Sequence, residues 1–506
     1  MLDQWLSSYP AGYDRVLSMI GIEIHWIILQ YILGLSLLAV VAEVIWLKTK
    51  KEEWAKISRT IAKGFIIVFA VGAAMGTASE FGLVLLWPNL IEAAGRYIYF
   101  PLYAEIFAFL MEVIFIYMFW YAWKKLPTKA HIVVGILAIT GAWFSASMIM
   151  SVNSYMQAPP GIIPAYDNGW RFDEGYPKLT LFVPNEIVSA LDVEVLQSLG
   201  TDVLGKTDNS VIVALPVSIV KQLISDAFSG KTVGESLLYV ALTDAAKNSL
   251  KDVPALNVVD AIVANTVKEV GVYTVTFKSP TYFASLLHTL FAAITVSSFT
   301  VAGGYALSYS RKNVKHAKLG LKYGLYFAIA SLAFQGIVTG HEMGVAVAEW
   351  NPEKFAAMEA NTPAFLERIV AYLSYGNFNA EIPDYYQIPD DLRPPLLIHY
   401  LYYVKITVAA VLGIMALLAA YMLYRDREVS YGYLIILPIV AQVVSFLGWA
   451  VREIGRKPWT IYGVMDVGTA HTINPPTLGE AAIISLYFVG ILAVLTYSTY
   501  KFLWRG

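Results

Sequence analysis

Apolar residues run through this chain in nine long blocks, at roughly 19–47, 61–86, 102–123, 131–151, 283–309, 319–339, 397–424, 430–451 and 480–503. A helix crosses the hydrocarbon layer with about 20 such residues. The pattern therefore predicts an all-α polytopic membrane protein with nine transmembrane helices in helical bundles. The short polar connections "KTKKEEWAKISR", "KKLPTKAH", "RKNVKHAK" and "RDRE", with the terminal "KFLWRG", hold most of the short-loop Lys and Arg. Positive loops stay in the cytoplasm, which places the N-terminus outside and the C-terminus inside.

One stretch, about 165–279, follows another rhythm. "KLTLFVP", "SVIVALP", "LYVALTD" and "VYTVTFK" read as strands, and "NEIVSALDVEVLQSLG" and "VSIVKQLISDAF" as amphipathic helices. They predict a small inserted α/β domain on the outer side. The expected organisation is helices 1–4 over 1–164, the insert over 165–279, helices 5–6 over 280–339, a Pro-rich outer loop over 340–395, and helices 7–9 over 396–506.

Composition agrees and narrows the chemistry. Of 506 residues, 57% are hydrophobic and 15% charged, with net charge −2. That balance argues against a nucleic-acid partner, which needs a basic surface. There is no cysteine, so disulfides and thiolate metal sites are excluded. The first 18 residues carry Asp3, Asp14 and Arg15 and show no cleavable leader pattern.

Polar residues inside the apolar blocks are the candidates for chemistry. Glu105 and Glu112 are two turns apart, about 10 Å along one helix face. A charged carboxylate at the bilayer centre costs about 2.5–3.5 kcal/mol on insertion scales, so the pair faces the bundle, as hydrogen-bonded structural acids or as metal ligands or proton carriers. His25 and His288 stand well inside apolar helices, where an imidazole is either a satisfied structural group or a haem ligand. His131, His316, His341, His399 and His471 lie near helix ends, where solvation is expected, and Glu80 reads as structural. In "WAVREIGRKPWT" the charges of Arg452, Glu453, Arg456 and Lys457 sit between two tryptophans. From spacing alone they read as interfacial anchors, with metal ligation by the Glu and propionate binding by the Arg as the alternative.

Seven stretches together resemble, in order, the large catalytic subunit (subunit I) of cytochrome bd-type quinol oxidases: "YDRVLSMIGIEIHW", "FAVGAAMGTASEF", "PLYAEIFAFLME", "NSYMQAPPG", "FASLLHTLFAA", "PEKFAAMEA" and "GWAVREIGRKPW". The resemblance implies a cell-membrane subunit that oxidises quinol at the outer face and reduces dioxygen to water with cytoplasmic protons, beside a second membrane subunit. It implies three haems: a low-spin haem b, a high-spin haem b, and a haem d or a haem b in its place. His25 and Glu453 would be axial ligands of the high-spin pair, and Glu105 a ligand or proton donor there. Glu112 would belong to the proton route. His288 would hold the low-spin haem, Lys354 and Glu359 would bind quinol, and Arg456, Lys457 and Arg15 would meet propionates.

The chain also departs from the family pattern. Where the family's helix seven carries F-R-x-M, with Met as second ligand of the low-spin haem, this chain reads "VKIT", with Lys405 and Thr407. The haem could be five-coordinate, altered, or held by His399 or Met415 instead. Tyr155 replaces the usual Trp, Lys457 the usual Gln, and His341 stands where an acid is common. These changes mark a divergent branch and keep two other readings open: a non-catalytic haem-binding or scaffold paralogue and, on the intramembrane carboxylates, a proton-coupled transporter.

Overall fold

A computed structural model describes residues 13–164, 175–312, 315–427, 429–471, 476–499 and 501. Four long helices come first: α1 (Tyr13–Thr49), α2 (Glu52–Leu86), α3 (Pro88–Tyr121) and α4 (Thr128–Gln157). Their punctuation is local. Lys50 adopts a left-handed φ of 58° between α1 and α2, and Pro88 opens α3 at a position where its missing N–H costs nothing.

After the inserted region come α7 (Tyr282–Lys312), α8 (Lys315–Phe334), α9 (Gly340–Trp350), α12 (Leu397–Tyr424), α13 (Tyr431–Ile454) and α14 (Leu478–Thr499). A five-residue π-helical turn, Gln335–Thr339, joins α8 to α9. By length and composition, seven helices among the described residues can cross a membrane: Leu17–Thr49, Pro88–Tyr121, Thr128–Gln157, Tyr282–Ser310, His316–Trp350, Leu397–Tyr424 and Tyr431–Ile454.

The bundle packs around α1, which touches α2, α4, α7, α13 and α14. Large apolar side chains also cover its outside, among them Phe107, Leu110 and Ile114 on α3 and Val411, Ile414 and Leu418 on α12. In hydrocarbon such a surface carries no penalty, so helices associate through close packing and small residues instead. Gly141 shows this: a Cβ there would stand 2.9 Å from the backbone N of Glu112, so only glycine lets α4 lie this close to α3.

The inserted region holds a four-stranded antiparallel sheet in the order β1 (Ile162–Ile163), β2 (Lys178–Pro184), β4 (Ser210–Pro216), β3 (Asp202–Lys206), with α5 (Val217–Phe228) and α6 (Ala255–Val270) as its longer helices. "KLTLFVP" and "SVIVALP" are strands, as their alternation predicts. Two other expected strands are not. Residues 272–278 of "VYTVTFK" form a 3-10 helix, and "LYVALTD" holds a 3-10 turn and an isolated bridge between Leu242 and Leu191. β-branched content favours a strand only where a neighbouring edge is open to pair with it. "NEIVSALDVEVLQSLG" breaks into two short helices, Asn185–Val188 and Val193–Ser198, because Asp192 caps the second by accepting from the N–H groups of Glu194 and Val195.

The segment after α9 is more ordered than a Pro-rich loop. It contains α10 (Pro352–Glu359), with all eight residues buried, and α11 (Ala364–Tyr375), closed by Gly376 in the left-handed region. A β-hairpin of β5 (Trp459–Ile461) and β6 (Met465–Asp466) follows α13.

Candidate functional site

The buried polar groups fall on the faces that meet between helices. On α1, the side chains of His25, Trp26 and Gln30 look inward. Trp26 stacks on Trp449 of α13 with centroids 5.5 Å apart and donates to the Ser445 hydroxyl at 2.9 Å. One turn deeper, the Gln30 amide donates to the Gln442 side-chain carbonyl at 2.8 Å. These contacts fix the register of α1 against α13 and set His25 near the end of α13 that carries Glu453.

His25 Nδ1 is buried and has no hydrogen-bond partner. Its ring faces Gly76 of α2, where a Cβ would stand 3.1 Å from His25 Cε1. Glu80 lies one turn beyond Gly76 on the same face of α2 and is within electrostatic range of Glu105 on α3. One face of α2 thus runs from His25 to the carboxylate stripe. Glu105 is half-buried and accepts from the Ser145 hydroxyl at 2.8 Å. Glu112 is 4% exposed and makes no hydrogen bond among the described residues. The two share one side of α3, as their spacing predicts, and Glu80 joins them.

The charges of α13 are not interfacial anchors. Arg452 and Arg456 are 8% and 6% exposed. The Arg452 guanidinium donates to Asn153 Oδ1 at 2.5 Å, to Ser285 Oγ at 2.9 Å and to Ser154 Oγ at 3.4 Å. Glu453 accepts from the Asn153 amide at 2.9 Å and from Arg456 Nη2 at 2.8 Å. The helix–helix packing of α4, α7 and α13 closes over this end, which hydropathy alone would leave at the interface. Arg456 Nε and Nη1 stay unpartnered, and Lys457 is half-buried within electrostatic range of Glu453.

Lys354 and Glu359 leave α10 in different directions. Lys354 Nζ donates to the Arg452 carbonyl at 3.3 Å, and burial together with the Arg452 charge holds its amine well below the usual lysine range. Glu359 accepts from Tyr403 of α12 at 2.8 Å and from Thr362 at 2.5 Å. The structure therefore seats the lysine in the α13 cluster and the glutamate against α12. Arg15 belongs to α1, and its side chain lies outside the described residues.

His288 Nδ1 meets the Thr339 hydroxyl of the π turn at 3.3 Å, while Nε2 has no hydrogen bond among the described residues. Irregular turns of this kind recur at functional sites. Thr407 is exposed, on the far side of α12 from the half-buried Lys405.

Two members of this region, Glu23 and Glu353, were not singled out from sequence, and His131, outside it, lies differently from expectation. Glu23 is 6% exposed, has an unpartnered Oε2, and is in electrostatic range of Glu453. Glu353 accepts the Tyr462 hydroxyl on both carboxylate oxygens, at 3.0 and 2.9 Å, and burial pushes its carboxyl up to about 7. His131, expected in solvent, is 1% exposed: Nδ1 pairs with Glu43 at 2.8 Å and Nε2 with the Phe119 carbonyl at 2.7 Å. The spacing of Glu23 from His25 and the "PEK" of α10 carry a weak signal for the first two. The Glu43–His131 pair, 88 positions apart, carries none.

Among the described residues no three His, Asp or Glu side chains converge as an ion site. A single imidazole or carboxylate per axial position, with cations for acidic substituents, is what a haem needs instead. The unpartnered His25 nitrogen, the bare cradle at Gly76 and the free Arg456 donors fit that group.

Together these features define a polytopic helical membrane protein with imidazoles, acids and arginines buried between its helices. The family model "Cytochrome bd terminal oxidase subunit I" matches residues 14–190, 246–365 and 365–505, so the chain belongs to that family of electron-transport oxidoreductases of the cell membrane. A Bacillus subtilis protein assigned as a cytochrome bd menaquinol oxidase subunit I is 23% identical over 501 residues, covering 91% of this chain and 88% of that one. The Escherichia coli cytochrome bd-II ubiquinol oxidase subunit 1 is 32% identical over 138 residues, 27% of each chain. In fold, the chain is similar to the bd oxidase of Geobacillus thermodenitrificans, with TM-score 0.67, 22% identity and 97% of both chains covered.

Proposed function

We propose that this chain is the catalytic subunit of a quinol:dioxygen oxidoreductase, working with a second membrane subunit. The observation that carries the reading is the buried, unpartnered His25 nitrogen, set between the Gly76 cradle and the Glu453–Arg456 end of α13. A structural histidine would not keep a dry nitrogen unsatisfied. The haems, when bound, supply electron transfer and the iron at which dioxygen is reduced.

The remaining roles belong to side chains. His25 and Glu453 hold the high-spin groups and His288 the low-spin one, while Arg456, Lys457 and Arg15 face acidic substituents. Glu112 and Glu105 pass protons from the cytoplasmic side toward the reacting end, a use that explains two carboxyls on one intramembrane stripe. Quinol is oxidised beside the 340–395 segment. Glu359 accepts its hydroxyl, and Lys354 tunes the adjoining cation cluster. The membrane part has nine spans, α2 and α14 completing the seven long apolar ones, with the N-terminus and the 165–279 region outside and the C-terminus inside.

A reduced-minus-oxidised absorption spectrum and quinol-dependent oxygen uptake of the purified complex test this. Haem bands with quinol-driven uptake are expected. Haem without uptake would leave a haem-binding paralogue, and absence of haem would remove both readings.

A further inference from the structure

The geometry points to Lys405 as the second axial ligand, opposite His288, of the low-spin haem. This inference rests on the reading of His288 as a haem ligand. α7 and α12 start from the same side of the bundle, since α7, α8–α9 and α12 run alternately down, up and down. Lys405 lies eight positions into α12 and His288 six positions into α7, about 12 and 9 Å below their first turns. Measured from their own first turns, the two residues lie at depths within about 3 Å of each other. Lys405 and Arg452 are the cations within electrostatic range of the His288 ring.

Three observations set Lys405 apart. Its stem lies against α13, with Cδ 3.6 Å from where a Gly448 Cβ would stand, so the side chain is directed into the bundle. Its ammonium lies 5.0 Å from the Tyr402 ring centroid but makes no hydrogen bond or ion pair among the described residues. A cation placed inside a membrane helix normally has such a partner. An amine nitrogen opposite an imidazole would give it one, with a proton released as the nitrogen binds iron.

Other donors are placed for other work. Thr407 is two positions on, about 200° around the helix, and exposed. His399 lies six positions nearer the start of α12 than Lys405, about 9 Å higher along the axis, with its Nδ1 on the Met358 carbonyl at 2.9 Å. Met415 packs into the apolar core ten positions deeper. Met343 of α9 and Met150 of α4 are soft donors near this level, and their sulfurs already accept from Ser285 Oγ at 3.5 Å and from Thr289 Oγ1 at 3.8 Å.

Near-infrared magnetic circular dichroism and electron paramagnetic resonance of the oxidised full-length protein with its native partner subunit test the assignment. The wild type should show a low-spin signal of two nitrogen ligands and no thioether charge-transfer band. Lys405→Ala should lose that signal to a high-spin species, with the low-spin form restored by added imidazole. Lys405→Met should stay low-spin, acquire the thioether band and shift its midpoint potential upward, as a sulfur ligand does. A thioether band in the wild type would overturn the proposal in favour of Met343 or Met150, and an unchanged nitrogen-ligated signal in Lys405→Ala would also overturn it. Where Lys405→Ala fails to accumulate, Lys405→Met carries the test: a signal without the thioether band there would overturn the assignment. His288→Ala separates the two levels. If it loses the signal while Lys405→Ala keeps it, only the lysine assignment falls. If neither variant loses it, or the wild type has no low-spin haem, the reading of His288 falls as well.

Discussion

The two ends of α4 carry buried polar clusters of opposite character. Near its start, His131 is closed: both ring nitrogens are bonded, to Glu43 and to the Phe119 carbonyl, and the ring stacks on Phe119 with centroids 4.4 Å apart. Toward its end, Asn153 enters a cluster that is open: Glu23, His25 and Arg456 all keep atoms without a partner among the described residues. Burying a polar atom without a partner costs about 1–3 kcal/mol, so the first cluster stabilises the bundle by itself, while the second carries that cost; the proposed haems would offset it. The two histidines differ in their partners, not in their residue type: both His131 nitrogens are bonded, and His25 Nδ1 is not.

Substitutions at the two ends should pull this contrast apart. The largest expected effect is a split between His25→Ala and Glu43→Ala. The first should abolish the high-spin haem signal. The second should leave the spectrum unchanged while lowering stability by about 3 kcal/mol, as breaking a buried pair does. Thermal unfolding in detergent, followed with the absorption spectrum, reads both, and haem loss in Glu43→Ala would erase the distinction.

A smaller effect is expected at the cradle. Gly76→Ala puts a methyl 3.1 Å from His25 Cε1, so the ring must give by a few tenths of an ångström. The high-spin band should shift with stability reduced by about 1 kcal/mol, at the lower end of overpacking penalties. An unshifted band would mean that the ring is not held against α2.

The smallest concerns Glu353. Its carboxyl rises from 4.5 to about 7 on folding because it is buried, so between those values the folded state holds a proton that the unfolded chain has lost. Stability contributed by this group is complete below pH 4.5 and declines as pH rises to about 7. Glu353→Gln should flatten that decline in a pH series of unfolding midpoints, and an identical slope would show that Glu353 does not titrate there.

Much of the membrane fold is legible in order along the chain. Block length marks the long helices because a helix satisfies its own backbone and needs only apolar side chains outward. The Glu105–Glu112 stripe is legible for the same reason, since seven residues are two turns in any helix. The inserted region is less legible: "LYVALTD" and "VYTVTFK" have strand-like side chains, yet 3-10 turns form at 237–239 and 272–278.

By itself, then, the sequence determined which segments are long and apolar, which acids share a helix face and which family motifs occur in what order, because all of these are local properties of the chain. Tertiary structure alone decided that His131 is closed by Glu43 while His25 stays open, and that Arg452 is buried rather than interfacial. It alone decided that Lys354 and Glu359 diverge and that Lys405 is directed against α13 while Thr407 is exposed. Each of those outcomes depends on which face of a second helix comes to lie opposite, and helix rotation and register are set by packing between segments far apart in the chain.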